Sequence, residues 1–257
     1  MNRKEVYAYW NRRGHEVGYT PHTIRRSVLY VWKTNVVYAL VRQHLPLCGW
    51  LLKLDLWNEG LLKDSWFDLQ HCPSNDALEL VGVDLGKSIC HYAKERATRI
   101  HVVHADLNYL PFRARAFSFV LDLSTLDHVA PEEVSTIFNE VRRILNGVFL
   151  TIFHQEERVQ RIMQWYYRLW RHVAHEERGA LFRIKYFFNV AWVREGLKRL
   201  GFAVLSERPF NVGAWFPFYN SVLKRWGKLA DIVNQIELQG FPFASWLSAY
   251  WVIVAHA

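Results

Sequence analysis

Along the chain, short apolar runs alternate with segments whose apolar residues recur every three or four positions. The short runs predict seven strands, at Trp50–Leu54, Leu78–Val83, Ile100–Val103, Phe117–Leu121, Val148–Phe153, Phe202–Arg208 and Ser248–His256. The three- and four-residue periodicity predicts helices at 27–42, Lys87–Ala97, Pro131–Leu145 and Val190–Leu200. Strands that alternate with helices predict an α/β domain with a mainly parallel sheet and helices on both faces.

The order of these elements predicts the domain organisation. We expect a helical N-terminal extension over residues 1–48, followed by one domain over 49–257. The sequence contains no internal repeat and no linker rich in Gly, Pro or Ser. Two long connections, near 156–188 and 211–246, are expected to be insertions that cover a binding site.

Composition narrows the class of protein. The chain has 257 residues and a net charge of +8, and 51% of its residues are hydrophobic, which excludes disordered and fibrous proteins. Its three cysteines form no CxxC pair, so they provide neither a disulfide framework nor a four-cysteine zinc site. No apolar signal core follows the polar first residues, and no apolar stretch approaches about 18 residues. We therefore expect a cytoplasmic protein, and the sequence leaves its oligomeric state open.

An acidic residue follows each of four successive predicted strands: Asp55, Asp84, Asp106 and Asp122. Ligands of open parallel sheets bind at the carboxyl ends of the strands, where an ionised Asp accepts hydrogen bonds from ribose hydroxyls or an exocyclic amine. Asp84 suits a ribose and Asp106 suits an adenine amine. The alternative is that these acids cap the helices that follow them.

Several strings together resemble class I S-adenosylmethionine-dependent methyltransferases, nearest to the small-molecule branch that includes quinone-biosynthesis enzymes. The strings are Val-Gly-Val-Asp-Leu-Gly-Lys-Ser at 81–88, Ala105-Asp106 with Leu110-Pro111-Phe112, and Phe-Ser-Phe-Val-Leu at 117–121. The resemblance implies a Rossmann-like, seven-stranded, mostly parallel sheet with an antiparallel last strand, and S-adenosylmethionine as the cofactor. It implies the following cofactor-binding residues: Asp55, Trp57, Glu59, Gly60, Asp84, Leu85, Asp106, Leu107 and Asp122.

The turn after the first strand departs from the family pattern. Most members have an acidic-x-Gly-x-Gly turn, whereas Trp57 and Glu59 occupy the two Gly positions here. Without Gly, the backbone adopts positive φ less readily and approaches a ligand less closely. One interpretation is a decayed, non-catalytic relative. The other is a variant subfamily with Asp-Leu-Trp-Asn-Glu in place of the Gly-rich turn, in which Glu59 accepts the cofactor's α-amino group and Trp57 forms a pocket wall or enters the sheet–helix interface.

The string Ser-Thr-Leu-Asp-His at 124–128 provides the candidate catalytic residues. His128 follows the fourth strand and can act as a base near neutral pH, with Asp127 to orient it. The alternative is that His128 only fixes the next loop. The remaining histidines, such as the pair His172 and His175, do not supply the three or four converging ligands that a metal needs, so no metal site is predicted.

Aromatic and basic residues are concentrated in the first long connection, within Arg158–Arg183, and a second aromatic cluster lies at 215–219. They predict an apolar acceptor pocket with a positively charged rim, for a small molecule that is apolar or aromatic and in some cases anionic. The same residues would allow a peripheral contact with an anionic membrane, or would simply pack in the core. The basic residues are otherwise dispersed and no Asn-Pro-Pro-Tyr-type string follows the fourth strand, which favours a small-molecule acceptor over RNA.

Overall fold

A computed structural model gives the fold of the chain. It describes residues 3–17, 28–61, 77–97, 99–155, 186–212, 225–226, 228–229, 232, 235 and 248–257. The strands are β1 (Gly49–Leu54), β2 (Leu78–Asp84), β3 (Ile100–His104), β4 (Phe117–Leu123), β5 (Leu145–His154), β6 (Ala203–Val212) and β7 (Ser248–His256). The helices are α1 (Arg3–Val17), α2 (Val28–His44), α3 (Trp57–Leu61), α4 (Lys87–Arg96), α5 (Pro131–Ile144) and α6 (Val190–Arg199), with a short 3-10 helix at Leu126–His128.

The strands form one seven-stranded sheet in the order β3-β2-β1-β4-β5-β7-β6. All neighbouring strands from β3 to β5 are parallel, and β7 is antiparallel to both β5 and β6. The predicted fold class, a mostly parallel Rossmann-like sheet with an antiparallel last strand, is confirmed.

Both faces of the sheet are covered because successive residues of a strand point to opposite sides. Leu52, Val120 and Phe149 point to one face and belong to a core that includes residues of α5 and α6. Their strand neighbours, among them Leu51 and Phe119, point to the other face and pack with the buried residues Val36, Val37, Leu40 and Val41 of α2. The second half of the predicted N-terminal extension is therefore part of the core, and the division at residue 48 stays a prediction.

The strand order also fixes where a ligand can bind. The chain runs outward from β1 through β2 to β3, then crosses back to β4 on the other side of β1. This reversal leaves a crevice beyond the carboxyl ends of β1 and β4, the usual binding site of such sheets. The insertions predicted near 156–188 and 211–246 lie almost wholly outside the described residues. Within the part of the chain that the structure describes, no helix is long and apolar enough to cross a membrane.

Candidate active site

A cavity of about 570 Å³ lies at this edge of the sheet. Its walls come from the segments that follow β1, β2, β3 and β4 and from α1. The polar and aromatic lining residues are Arg3, Lys4, Tyr7, Tyr9, Trp10, Asp55, Trp57, Asn58, Asp84, Asp106, Asn108, Ser124, Thr125, His128, Glu132, Glu133 and Tyr186.

Helix α1 forms one wall of the cavity, which the sequence reasoning missed. Its Arg3 lies 3.8 Å from the Asp106 carboxylate and 4.6 Å above the Tyr109 ring. Further along the helix, Asn11 accepts a hydrogen bond from the backbone N–H of Ser88, and Ser88 Oγ donates to the Asn11 carbonyl at 2.9 Å. These bonds attach α1 to the beginning of α4. The signal in the sequence was the aromatic string Val6-Tyr7-Ala8-Tyr9-Trp10, which is more apolar than a solvent-exposed helix requires.

Asp84 ends β2 and lines the cavity although only 9% of its surface is exposed, and its contact with a ribose stays a prediction. Its two carboxylate oxygens accept hydrogen bonds from the backbone N–H groups of Gly86 at 2.7 Å and Leu56 at 2.9 Å. Burial raises the pKa of Asp84 to about 7, against the lowering effect of these two bonds. Each oxygen retains a second lone pair for a ligand hydroxyl.

Asp55 ends the first strand with its backbone in the left-handed region, at a φ of 119°. The carboxylate lines the cavity and accepts hydrogen bonds from the Thr125 hydroxyl at 2.9 Å and from the Trp57 backbone N–H at 3.2 Å. The amine of Lys53 lies 3.2 Å from the same carboxylate and donates to the Asp55 carbonyl at 2.8 Å. The unusual backbone of Asp55 is thus stabilised from three sides without a glycine.

Glu59 does not line the cavity, which contradicts the prediction that it accepts the cofactor's amino group. Its side chain is fully buried and pairs with Lys53, with 2.9 Å between Nζ and Oε2. Burial lowers the pKa of Lys53, but Asp55 and Glu59 more than offset this and the pKa is raised overall. The prediction failed because Lys53, the penultimate residue of β1, has no solvent to reach, and burying its charge requires a carboxylate beside it.

Trp57 and Gly60 have different surroundings although both belong to the variant turn. Trp57 forms part of the cavity wall, one of the two positions predicted for it. Gly60 lies outside the cavity lining and packs on α4, where an added Cβ would stand 2.7 Å from the carbonyl oxygen of Ile89. Its role as a cofactor contact is not supported, and it serves helix packing instead.

Asp106, Leu85 and Leu107 all line the cavity. The Asp106 carboxylate accepts hydrogen bonds from the backbone N–H and the side-chain amide of Asn108, at 2.8 and 2.9 Å. Its other oxygen faces Arg3 of α1. Contact of these residues with an adenine ring stays a prediction.

Asp122 is fully buried within β4 and does not reach the cavity, so its prediction as a cofactor contact is wrong in this structure. Its carboxylate accepts hydrogen bonds from the Thr151 hydroxyl at 2.6 Å and the Thr125 backbone N–H at 2.9 Å. Burial raises the pKa of Asp122 to about 7. The prediction placed Asp122 just after the strand, whereas β4 extends to Leu123 and Asp122 lies one residue before the end of β4.

The predicted pairing of Asp127 with His128 is wrong. Asp127 is fully buried and binds His154 at the end of β5, accepting from its backbone N–H at 2.8 Å and lying 2.5 Å from its ring Nδ1. His128 lines the cavity, with its ring 4.9 Å from that of Trp10 in an edge-to-face arrangement. Adjacent residues of a 3-10 helix point in different directions, which separates the two side chains.

Among the described residues, no group of three or more His, Cys, Asp or Glu side chains could hold a metal ion. His172, His175 and the two aromatic clusters predicted for the acceptor pocket, within Arg158–Arg183 and at 215–219, fall outside the described residues.

Part of the chain that forms this cavity matches a known protein family. Residues 67–147, which include β2 to β4 and α5, match the family model of the methyltransferase domain. This part of the chain, about a third of its length, is similar to a methyltransferase domain. The cofactor and the type of reaction that the sequence predicted, S-adenosylmethionine and methyl transfer, are therefore confirmed at the level of the domain. No curated protein matches the sequence.

Solved structures share the fold over nearly the whole chain. Magnesium protoporphyrin IX methyltransferase from Synechocystis PCC 6803, with bound S-adenosylhomocysteine, has a TM-score of 0.63 and 13% identity, and the alignment covers 99% of both chains. Geranyl diphosphate C-methyltransferase from Streptomyces coelicolor A3(2) has a TM-score of 0.59 and 14% identity, over 98% of this chain and 97% of that one. The [4+2]-cyclase SpnF has a TM-score of 0.56 and 16% identity, over 93% of this chain and 85% of that one. At these identities the likeness shows the fold alone.

Proposed function

We propose that this chain transfers the methyl group of S-adenosylmethionine to a small, neutral, apolar or aromatic acceptor. The observation that carries the proposal is a single cavity that joins strand-end carboxylates to an aromatic wall, in a domain of the methyltransferase family. The similar structures act on magnesium protoporphyrin IX and geranyl diphosphate, which are also small molecules.

The cavity residues fit the cofactor. Asp84 would bind the ribose hydroxyls and Asp106 the adenine amine, since both carboxylates reach the cavity and retain acceptor capacity. Leu85 and Leu107 follow the same two strands and offer apolar walls for the adenine ring. Asp55 would bind the cofactor's α-amino group, the role that Glu59 cannot fill from its buried position. The cofactor, when bound, supplies an already activated methyl group.

The charge of the lining favours a particular kind of ligand. The described lining contains five carboxylates (Asp55, Asp84, Asp106, Glu132, Glu133) against two cationic side chains (Arg3, Lys4). This excess suits a cofactor whose sulfonium adds a positive charge. It favours a neutral acceptor over the anionic one that the sequence allowed.

The protein's part in methyl transfer is to align donor and acceptor and to exclude water. Helix α1 contributes the aromatic side chains of Tyr7, Tyr9 and Trp10 to one wall of the cavity. His128 lies on the same wall and would accept a proton if the acceptor is a hydroxyl or an amine. Membership of the quinone-biosynthesis branch, and activity of the variant turn, form part of this proposal.

Binding of S-adenosylhomocysteine, measured by calorimetry, tests the cofactor site. Asp84→Ala should weaken binding by about 1.5–3 kcal/mol, the usual cost of losing charge-assisted hydrogen bonds. Asp122→Asn is the matched control, because Asp122 is an equally buried acid that does not reach the cavity. The control should bind like the wild type. Equal affinity in all three proteins would remove Asp84 from the site, and a wild type that binds no cofactor would favour the non-catalytic alternative.

The raised pKa of Asp84 adds a pH test. Ribose hydroxyls donate hydrogen bonds to the ionised carboxylate and so favour it, which means that the bound pKa lies below the free value of about 7. Affinity for S-adenosylhomocysteine should therefore rise as the pH increases from 6 to 8, and Asp84→Ala should remove most of this rise. If the rise in affinity persists in Asp84→Ala, another titratable group causes it.

Methyl transfer itself requires a separate measurement, because a [4+2]-cyclase shares the fold. Radiolabelled S-adenosylmethionine incubated with metabolite fractions and with total RNA should label a small, organic-extractable product. Label in RNA would overturn the small-molecule proposal.

A further inference from the structure

Three aromatic rings meet in the wall of the cavity. Trp57 and Trp10 lie with ring centroids 6.0 Å apart and planes at 77°, and Trp10 and His128 lie 4.9 Å apart with planes at 78°. All three side chains line the cavity. They come from three separate parts of the chain: α1, the first residue of α3 and the 3-10 helix after β4.

The position of Trp57 is what makes this cluster unusual. The residue occupies a place where the resemblance leads us to expect Gly, so a large ring lines the cavity where bare backbone would otherwise pass. Near-perpendicular rings that line one cavity can present their π faces to a cation, as aromatic cages do to quaternary ammonium ligands, and a sulfonium carries the same single positive charge.

The cluster also lies at the end of the cavity that the cofactor's reactive centre would occupy. Asp84 and Asp106, proposed for the ribose and the adenine, follow β2 and β3 on one side. Trp57 and His128 follow β1 and β4, which border the crevice where the strand order reverses. A ligand that extends from its adenosine part toward this crevice brings its next group, the sulfonium, to the aromatic rings.

We propose that Trp57 and Trp10 form an aromatic cage for the sulfonium of S-adenosylmethionine and make the site select the charged donor over its neutral product. The inference rests on the proposed function and deepens it. Loss of the methyl group removes the positive charge, so the cage holds S-adenosylhomocysteine less tightly and favours exchange of product for fresh donor.

A competing explanation assigns the same rings to the acceptor. Aromatic side chains also stack on flat apolar ligands, and such stacking does not depend on the charge of the cofactor. The two explanations differ in one measurable quantity, the ratio of the dissociation constants of S-adenosylhomocysteine and S-adenosylmethionine.

The experiment measures binding of S-adenosylmethionine, S-adenosylhomocysteine and sinefungin, in which a protonated amine replaces the sulfonium, by calorimetry without acceptor. Trp57→Leu should weaken the two cationic ligands about tenfold and the neutral product about twofold, a change in ratio of about fivefold. Trp57→Phe keeps a π face and should change the ratio by less than about twofold. Trp50→Leu is the matched control, because Trp50 is an exposed residue of β1 outside the cavity, and it should leave all three affinities unchanged.

The outcomes separate the cage from the proposed function. If Trp57→Leu weakens all three ligands equally, or none, the cage is wrong while cofactor binding stands. If the wild type binds none of them, the proposed function fails first. Should Trp57→Leu lose its fold by circular dichroism, Trp57→Phe and Trp10→Leu decide the matter: the cage predicts the same charge-dependent loss in Trp10→Leu, and an unchanged ratio there overturns it.

Discussion

Replacing Lys53 with Met should destabilise the protein in a way that depends strongly on pH. Lys53 is 0% exposed and its amine contacts three oxygens: the Asp55 carbonyl, the Asp55 carboxylate and the Glu59 carboxylate. Met fills most of the same volume without a charge. The variant therefore leaves Glu59, 2% exposed, with its main counter-charge removed.

The magnitude follows from the fate of that carboxylate. Burial already raises the pKa of Glu59, and Lys53 is the largest influence that lowers it, so the pKa rises further in the variant. A carboxyl group with a raised folded-state pKa contributes most stability below its unfolded pKa and loses that contribution as the pH rises through the folded pKa. We expect a loss of about 3–5 kcal/mol at pH 8, where an uncompensated buried charge is maintained. At pH 5 the loss should fall to about 1–2 kcal/mol, the cost of the missing hydrogen bonds.

Urea denaturation followed by circular dichroism at pH 5, 6.5 and 8 measures this difference against the wild type. The control is the double variant Lys53→Met with Glu59→Gln, which removes both charges of the fully buried pair and should recover stability at pH 8. Equal losses at all three pH values would refute the reasoning. Glu59→Gln alone should not distinguish S-adenosylhomocysteine from adenosine, because the side chain does not face the cavity.

Three further predictions concern residues around the site. Asp122→Asn should match the wild-type melting temperature at pH 5 and exceed it at pH 8. A carboxyl group whose folded-state pKa is raised to about 7 stabilises the folded protein less and less as the pH rises from about 4 to 7. A difference in melting temperature that does not change with pH would contradict this. Asp127→Ala should lower the free energy of unfolding, measured by urea denaturation, by about 3–4 kcal/mol because it removes a buried hydrogen-bond partner of His154. His128→Ala should lower it by less than about 1 kcal/mol. The opposite order would support Asp127 as a partner of His128. Gly14→Val should detach α1 from α4, because a Cβ at this position would collide with Ser88 and Ile89. Stopped-flow measurements should then show faster release of S-adenosylhomocysteine, with little change in the urea midpoint of unfolding. An unchanged rate of release would mean that α1 does not retain the cofactor.

Much of the fold was predictable because the signals are local. Each predicted strand overlaps an observed one, and Ser248–His256 coincides with β7 end to end. Val148–Phe153 and Pro131–Leu145 also correspond to β5 and α5 within a few residues. The strands are buried on both faces of the sheet and the helices along one face, so the spacing of apolar residues in the sequence corresponds directly to the buried positions.

The site was less predictable because side-chain direction depends on distant parts of the chain. Asp84 and Asp106 line the cavity because Asp84 ends β2 and Asp106 follows β3 by two residues, which places both at the carboxyl edge of the sheet. Glu59 and Asp127 do not, because Glu59 pairs with the buried amine of Lys53 on β1 and Asp127 pairs with the His154 ring at the end of β5. The identity of those partners, Lys53 and His154, is set by tertiary packing that the spacing of residues does not reveal.

The replacement of glycine by Trp57 and the presence of α1 over the cavity belong to one structural solution. A Gly-rich turn adds little apolar surface, whereas the Trp57 ring adds a large one, and this ring packs edge-to-face against Trp10 of α1. Helix α1 can lie this close because Gly14, which has no Cβ, allows contact with Ser88 on α4. Trp57→Gly should therefore weaken the packing of α1 as well as the aromatic wall, because it removes the ring against which Trp10 packs. Variants of Trp57 and variants of α1 should for this reason be compared together.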